Sequence, residues 1–292
     1  MARRLISGTR PSEVQRLLLC LLEGVWSWTN RRQLFDSISS SNERYDCTER
    51  GRALEEEYER TTKRADENVI EYDGIAMDVG ADLVSYEIYQ LMVEGWYERQ
   101  EATLVRRYLP SDVDVVELGA GLGYVSCVIN DVLSPDRTHL AVEPNPAVVR
   151  RLEKTKELND ASYVIREGAY SAADDTVDLD LEGEYWEKGT HRSQGGENVP
   201  AWNLRQLCDS HDLSTFSLVM DVEGAEYELF LSELDLLEAR CPLLIVEFHE
   251  KGPYSEEYGD ELHESDFVLV DGLETVSVYR NTRFEERFDG TP

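Results

Sequence analysis

Apolar positions recur at helical spacing through 11–68, first as the stripe Leu17, Leu18, Leu21, Leu22, Val25 and Trp26, and later in a Glu- and Arg-dense segment over 50–67. Alternation then takes over along 69–79 and reverses at Asp73-Gly74, which predicts a small hairpin feeding a helix over 85–94. After Leu109-Pro110 the pattern becomes strand, helix, strand, helix, with strands expected over 113–118, 139–143, 162–166, 216–221 and 243–248. Helices are expected between them over 124–132, 146–159 and 225–238, the second opening on a proline at its first turn. Such alternation predicts a parallel sheet covered by helices on both faces. The segments 267–270 and 275–279, joined at Asp271-Gly272, must be antiparallel and close the sheet with a hairpin.

Two stretches stand outside this scheme. Residues 1–94 read as an N-terminal helical extension with the small hairpin, leaving 95–292 as the main domain. Within it, 171–214 reads as a long loop or lid rich in Asp, Glu and Gly, with Trp186, His191, Arg192 and Trp202 and one short helix near 203–208.

Composition narrows the function. The chain is 41% hydrophobic, enough for a folded core, yet it carries a net charge of -31 spread along its length. A field of that sign repels nucleic acid and anionic membranes, so the expected partner is a small molecule or glycan. With only five lysines among its basic residues, the surface reads as one built for high salt, where the self-repulsion of carboxylates is screened. The five cysteines, 20, 47, 127, 208 and 241, show neither CxxC nor zinc spacing and read as reduced thiols of a cytoplasmic protein. Glu23 and Gly24 interrupt the apolar run from Leu17 too early for a bilayer span, so no transmembrane or secretory segment is expected.

The chemistry is concentrated at strand ends. Val115-Val116-Glu117-Leu118-Gly119-Ala120-Gly121-Leu122-Gly123 sets a buried strand before a glycine turn and a helix: Gly119 permits the turn, Gly121 leaves bare backbone for a ligand, and Gly123 lets the helix approach the sheet. Tyr124 stands where a dinucleotide fingerprint places its third glycine, which disfavours a pyrophosphate site. The next strand ends in Glu143-Pro144-Asn145, with Glu143 placed to accept from both hydroxyls of a ribose. Gly168 and Ala169 follow the third strand, where a small residue and a backbone carbonyl suit the flank of an adenine. Asp221 ends the fourth strand and should face the crevice, with Glu223 two residues on; Glu247 and His249, at strand period, share a face that looks the same way. Glu223 and Glu226 read equally well as carboxylates at a helix N-terminus.

Gly95-Trp96-Tyr97-Glu98 with Glu101, the turn from Glu117 to Gly123, Val142-Glu143-Pro144-Asn145-Pro146, Met220-Asp221-Val222-Glu223-Gly224-Ala225-Glu226 and Ile245-Val246-Glu247-Phe248-His249 together resemble the FkbM family of methyltransferases over about 95–279. Many relatives write the turn as D-x-G-A-N-x-G, where this chain has Glu117 and Gly121. The resemblance implies an α/β class I methyltransferase fold, S-adenosyl-L-methionine as cofactor, and O-methylation of a sugar or natural-product hydroxyl. It further implies that Glu117, Gly119, Gly121 and Glu143, with Ala120, Gly123, Pro144 and Asn145 in the same turns, hold the cofactor, that Tyr97 and Glu98 close over it, and that Asp221 and Glu223 line the reacting end.

A hydroxyl acceptor needs a base, and Asp221, His249 and Glu247 are the candidates. A carboxylate acceptor, such as a uronic acid, needs only a cationic clamp, for which Arg192 is available. Two rivals remain: an inactive cofactor-binding or assembly protein on the same fold, and a divalent-metal methyltransferase in which Asp221 and Glu247 bind magnesium as two oxygen ligands. Glu247 is not directly followed by a third ligand, and no residue is assigned to a metal.

Overall fold

Four strands are apolar on both faces, and this puts them in the middle of a sheet. They are β3 (Asp114–Leu118), β4 (His139–Glu143), β9 (Phe216–Met220) and β10 (Leu243–Glu247). The computed structural model describes residues 53–54, 56–59, 68–80, 83–179, 196–222, 224–249 and 265–288. The stripe from Leu17 to Trp26, Cys20, Cys47, Trp186, His191, Arg192 and Glu223 lie outside the described residues, as does most of the helix expected over 50–67.

The main sheet has seven strands in the order β11-β12-β10-β9-β3-β4-β5, where β5 is Val164–Glu167, β11 Phe267–Leu273 and β12 Val276–Asn281. All neighbours from β10 to β5 are parallel, and β12 lies antiparallel between β10 and β11. This is the expected class I methyltransferase sheet, mostly parallel and closed by an antiparallel hairpin. Side chains alternate across it. Val115, Ala141, Val219 and Ile245 join the core on one face, and Val116, Leu140, Leu218 and Leu244 join the core on the other.

The first face is covered by α1 (Tyr86–Glu94), α2 (Arg99–Tyr108), α3 (Tyr124–Val132), α4 (Pro146–Leu158) and the hairpin of β1 (Val69–Tyr72) and β2 (Ile75–Asp78). Ser85 caps α1 by accepting from Ile88 N, and Gly95 ends it in a left-handed conformation. The hairpin docks on α4 by polar backbone contacts: Asn159 exchanges hydrogen bonds with Ala76 N and O, and Thr155 Oγ1 accepts from Asp78 N. The pattern did not anticipate α2, because Glu101 sits on its buried face with Ala102, Leu104 and Val105 and interrupts the apolar stripe.

The second face carries α5 (Leu204–Ser210) and α6 (Glu226–Arg240). Here 171–214 departs from the long loop expected. It contributes β7 (Thr176–Leu179) and β8 (Glu197–Trp202), which with β6 (Ala169–Tyr170) form a three-stranded sheet in the order β6-β8-β7 over a small core of Val177, Leu179, Val199 and Ala201. The expected short helix is α5, opened by a capping box between Asn203 and Gln206. The closing hairpin also differs: Asp271-Gly272 lies inside β11 at a bulge, and the chain reverses at Glu274-Thr275, with Glu274 at φ 56°. An Asp-Gly pair serves a bulge as well as a turn.

Among the described residues no helix is long and apolar enough to cross a membrane. The parallel register aligns Leu118 with Val142 and with Met220, so the residues just beyond these strand ends meet along one edge of the sheet.

Candidate functional site

The glycine turn is fixed from both sides. Gly119 N and Ala120 N donate to Val142 O, and a Cβ on Gly119 would stand 1.7 Å from the carbonyl oxygen of Asp221. With φ at +87°, position 119 excludes other residues by conformation and by space. Gly123 was expected to let α3 approach the sheet; a Cβ there meets Leu152 and Thr155 of α4 and the Tyr163 hydroxyl, so its bareness admits the neighbouring helix as well.

Glu143 is buried at the end of β4, and both of its oxygens take backbone donors, Oε2 from Gly121 N at 3.0 Å and Oε1 from Asn145 N at 2.9 Å. Burial pushes its carboxyl up to about 7 against the pull of those two bonds. The carboxylate therefore braces the glycine turn and keeps lone pairs for a diol. Beside it, Gly119, Pro144, Gly168, Ala169, Tyr170 and Leu179 help line a mainly apolar cleft. One face of Trp202 is covered by Arg166, which stacks on its ring at 4.3 Å, and its indole N–H donates to Glu167 O.

On the other side of Gly119 lies a narrow crevice whose lining includes Glu98, Glu101, Glu117, Asp221 and Glu247. Glu117 is buried, and its Oε2 accepts from Ser126 Oγ at 2.6 Å and meets His139 Nε2 at 2.9 Å. His139 and Ser126 were not singled out in the sequence; they come from neighbouring elements and carry no motif. Glu98 occupies a left-handed position at the start of α2, where burial, and then the charges of Glu117 and Glu247, push it up to about 8 while a hydrogen bond from Tyr97 pulls the other way. Burial, with Glu247 against it, drives Glu101 well above the ordinary carboxyl range. Tyr97 itself is buried, its ring 6.2 Å from that of Tyr124.

Asp221, Glu247 and His249 are brought together as their strand positions implied, each offering one ligand atom within 4.8 Å of the others. His249 Nε2 lies 3.5 Å from Asp221 Oδ1, and its Nδ1 lies 2.8 Å from Oε1 of Glu226, which is buried at the start of α6. The same Glu226 oxygen accepts from Gly224 N. Glu247 Oε1 accepts from Thr275 Oγ1 at 2.8 Å. The sequence left Glu226 as a helix-end carboxylate; what it missed is that a histidine past the end of β10 closes on it.

An apolar cleft, a braced carboxylate and an acidic crevice thus follow one another around Gly119. They match the chemistry of S-adenosyl-L-methionine, which joins a flat base, a ribose diol and a cationic end.

The model of the methyltransferase FkbM domain matches residues 117–269, just over half of the chain. Among solved structures, the chain is similar to methyltransferase FkbM from Methylobacillus flagellatus, with a TM-score of 0.45 at 13% identity over 68% of this chain and 56% of that one. It therefore spans little more than half the length of that protein. It is also similar to fibrillarin from Aeropyrum pernix, solved with natively bound S-adenosyl-L-methionine, with a TM-score of 0.37 at 13% identity over 61% and 71% of the two chains. The O-methyltransferase TomG from Streptomyces achromogenes, solved with the same cofactor, has a TM-score of 0.37 at 13% identity over 69% and 81%. No curated protein matches the chain.

Proposed function

Since the chain belongs to the FkbM family of methyltransferases, we propose that it methylates a hydroxyl oxygen of a sugar, polysaccharide or glycolipid in the cytoplasm. S-adenosyl-L-methionine supplies the methyl group when bound. The chain's own part is to orient and to move a proton. Glu143 and the Gly119–Gly123 turn hold the adenosine half, with Pro144, Asn145, Gly168 and Ala169 around it, and Glu98 and Glu117 face the cationic end. In-line displacement demands collinear alignment, which a rigid turn braced by Glu143 favours.

One observation carries the choice of a hydroxyl. The crevice lining brings together carboxylates and no lysine or arginine among the described residues. A carboxylate acceptor would be repelled there, whereas a hydroxyl finds acceptors for its hydrogen bond and for its proton. Asp221 is the first acceptor of that proton, because its carbonyl is packed against Gly119 and its strand end adjoins the turn. His249 is the second, with Nδ1 held by Glu226 so that Nε2 faces Asp221. The buried free thiols Cys127, Cys208 and Cys241 agree with a reducing compartment. We further propose that the small sheet β6-β8-β7 and the residues following β7 form the acceptor-side lid.

The test is transfer of tritium from labelled cofactor to glycan fractions, with mass spectrometry of surface and secreted glycans from cells with and without the gene. A lost methyl ether supports the reading; a lost methyl ester, or cofactor binding with no transfer to any fraction, overturns it. Asp221→Asn should lower turnover roughly a hundredfold with cofactor affinity nearly intact.

A further inference from the structure

We infer that Asp221, Glu247 and His249 form a site for one divalent transition-metal cation of the manganese or zinc class. Their ligand atoms lie within 4.8 Å of one another, with His249 Nε2 at 3.5 Å from Asp221 Oδ1. Ligands about 2.1 Å from an octahedral ion stand about 3 Å apart when adjacent and about 4.2 Å apart when opposite. Small rotations of the three side chains therefore close the shell. Their combined charge, two carboxylates and a neutral imidazole, balances a doubly charged ion.

Two observations outside the triad point to the same ligand. Glu226 accepts from His249 Nδ1 at 2.8 Å, and a histidine whose first nitrogen donates to a buried carboxylate presents the other as a fixed lone pair, the usual support for a metal-bound imidazole. Glu101 is only 7% exposed, lines the same crevice as Asp221 and Glu247, and sets its carboxyl against that of Glu247, while its Oε2 has no N–H or O–H donor from any other described residue. Two buried carboxyls in contact must share either a proton or a cation. An ion between Asp221 and Glu247, or a water on it, serves in place of that proton. The mixed oxygen and imidazole set selects manganese or zinc over calcium.

With an ion in place, Asp221 would hold it through one carboxylate oxygen and keep the other to take the proton of an acceptor hydroxyl, which the ion would make easier to remove. The site itself does not depend on the proposed methyl transfer, and it is read without cofactor or acceptor. Manganese added to the purified chain in high-salt buffer, which screens diffuse attraction to the acidic surface, is followed through the loss of its free-ion paramagnetic resonance signal. One saturable ion per chain is expected. Glu247→Gln and His249→Gln should each weaken binding at least tenfold while the exposed Glu157→Gln leaves it unchanged, with circular dichroism reporting the fold of each. Anomalous diffraction at the manganese edge of wild-type crystals gives a reading that needs no variant: a peak among the three ligands supports the site. No saturable binding of manganese or zinc, equal binding by a folded Glu247→Gln, or a peak elsewhere overturns it. Binding without methyl transfer would leave the site standing and remove the proposed activity.

Discussion

Glu226 Oε1 and His249 Nδ1 lie 2.8 Å apart, joining the first turn of α6 to the chain just past β10. The carboxylate fixes the imidazole tautomer and turns Nε2 toward Asp221, 3.5 Å away. Glu226 is 1% exposed, so any effect of its substitution on turnover must run through His249. Glu226→Gln keeps the shape but removes the charge that holds the imidazole as an Nδ1–H donor. Turnover should fall about tenfold, manganese binding at the neighbouring triad should weaken with it, and cofactor affinity should stay within twofold. Turnover assays and calorimetry with cofactor and with manganese on the same preparation check this; turnover and metal affinity both unchanged would reduce Glu226 to a structural residue.

Gly119 and Gly123 both have positive φ, but they differ in what lies against them. A Cβ at 119 meets the backbone carbonyl of Asp221 at 1.7 Å; at 123 it meets the far end of Leu152 at 2.7 Å and the Tyr163 hydroxyl at 3.1 Å. Backbone cannot move aside as a side-chain tip can. Gly119→Ala should therefore lower the melting temperature more than Gly123→Ala and abolish cofactor binding, since it drives the β9 end away from the turn. Thermal unfolding of the two variants in parallel decides the order.

The sheet was legible because β3, β4, β9 and β10 are buried on both faces and so appear as short, largely apolar runs leading into Gly, Glu or Asp. What was hidden depended on residues that break a local rule. Pro200 in β8 argues against a strand, yet it pairs with Thr176 in the small sheet. Glu101 masks α2 by putting a carboxyl on its buried face. The Glu226–His249 and Glu117–His139 pairs join residues more than twenty positions apart, and no period in the chain signals them. Tertiary pairing of polar groups is the part of the site that sequence pattern carries least.

We propose that the net charge of -31 makes the fold depend on salt. Self-repulsion of this size is screened to within about 3 Å at 1 M salt and reaches roughly 30 Å at 0.01 M. Dialysis into dilute buffer should lower the melting temperature steeply and cost helical circular dichroism, and molar potassium chloride should restore both. A spectrum and melting temperature unchanged in dilute buffer would show that the acidic surface is not a high-salt adaptation.

Glu98 and Glu143 make stability depend on pH in the direction opposite to a salt-bridged carboxylate. Burial holds them near 8 and 7, against 4.5 for an unperturbed glutamate. Over that interval the folded chain binds more protons than the unfolded one. Their favourable contribution is complete below about pH 4.5 and is lost as pH rises through 7 and then 8. In high salt, the melting temperature of the cofactor-free chain should thus rise as pH is lowered from about 9 to about 6. Glu98→Gln and Glu143→Gln, which carry no charge at any pH, should each flatten part of that slope. Cofactor binding should run the other way: below about pH 7 the Glu143 carboxyl takes a proton and loses acceptor capacity for a ribose diol, so affinity should weaken several-fold by about pH 5.5. A melting temperature flat from about pH 6 to 9, with affinity equally flat, would mean that both carboxyls stay ionised in the fold.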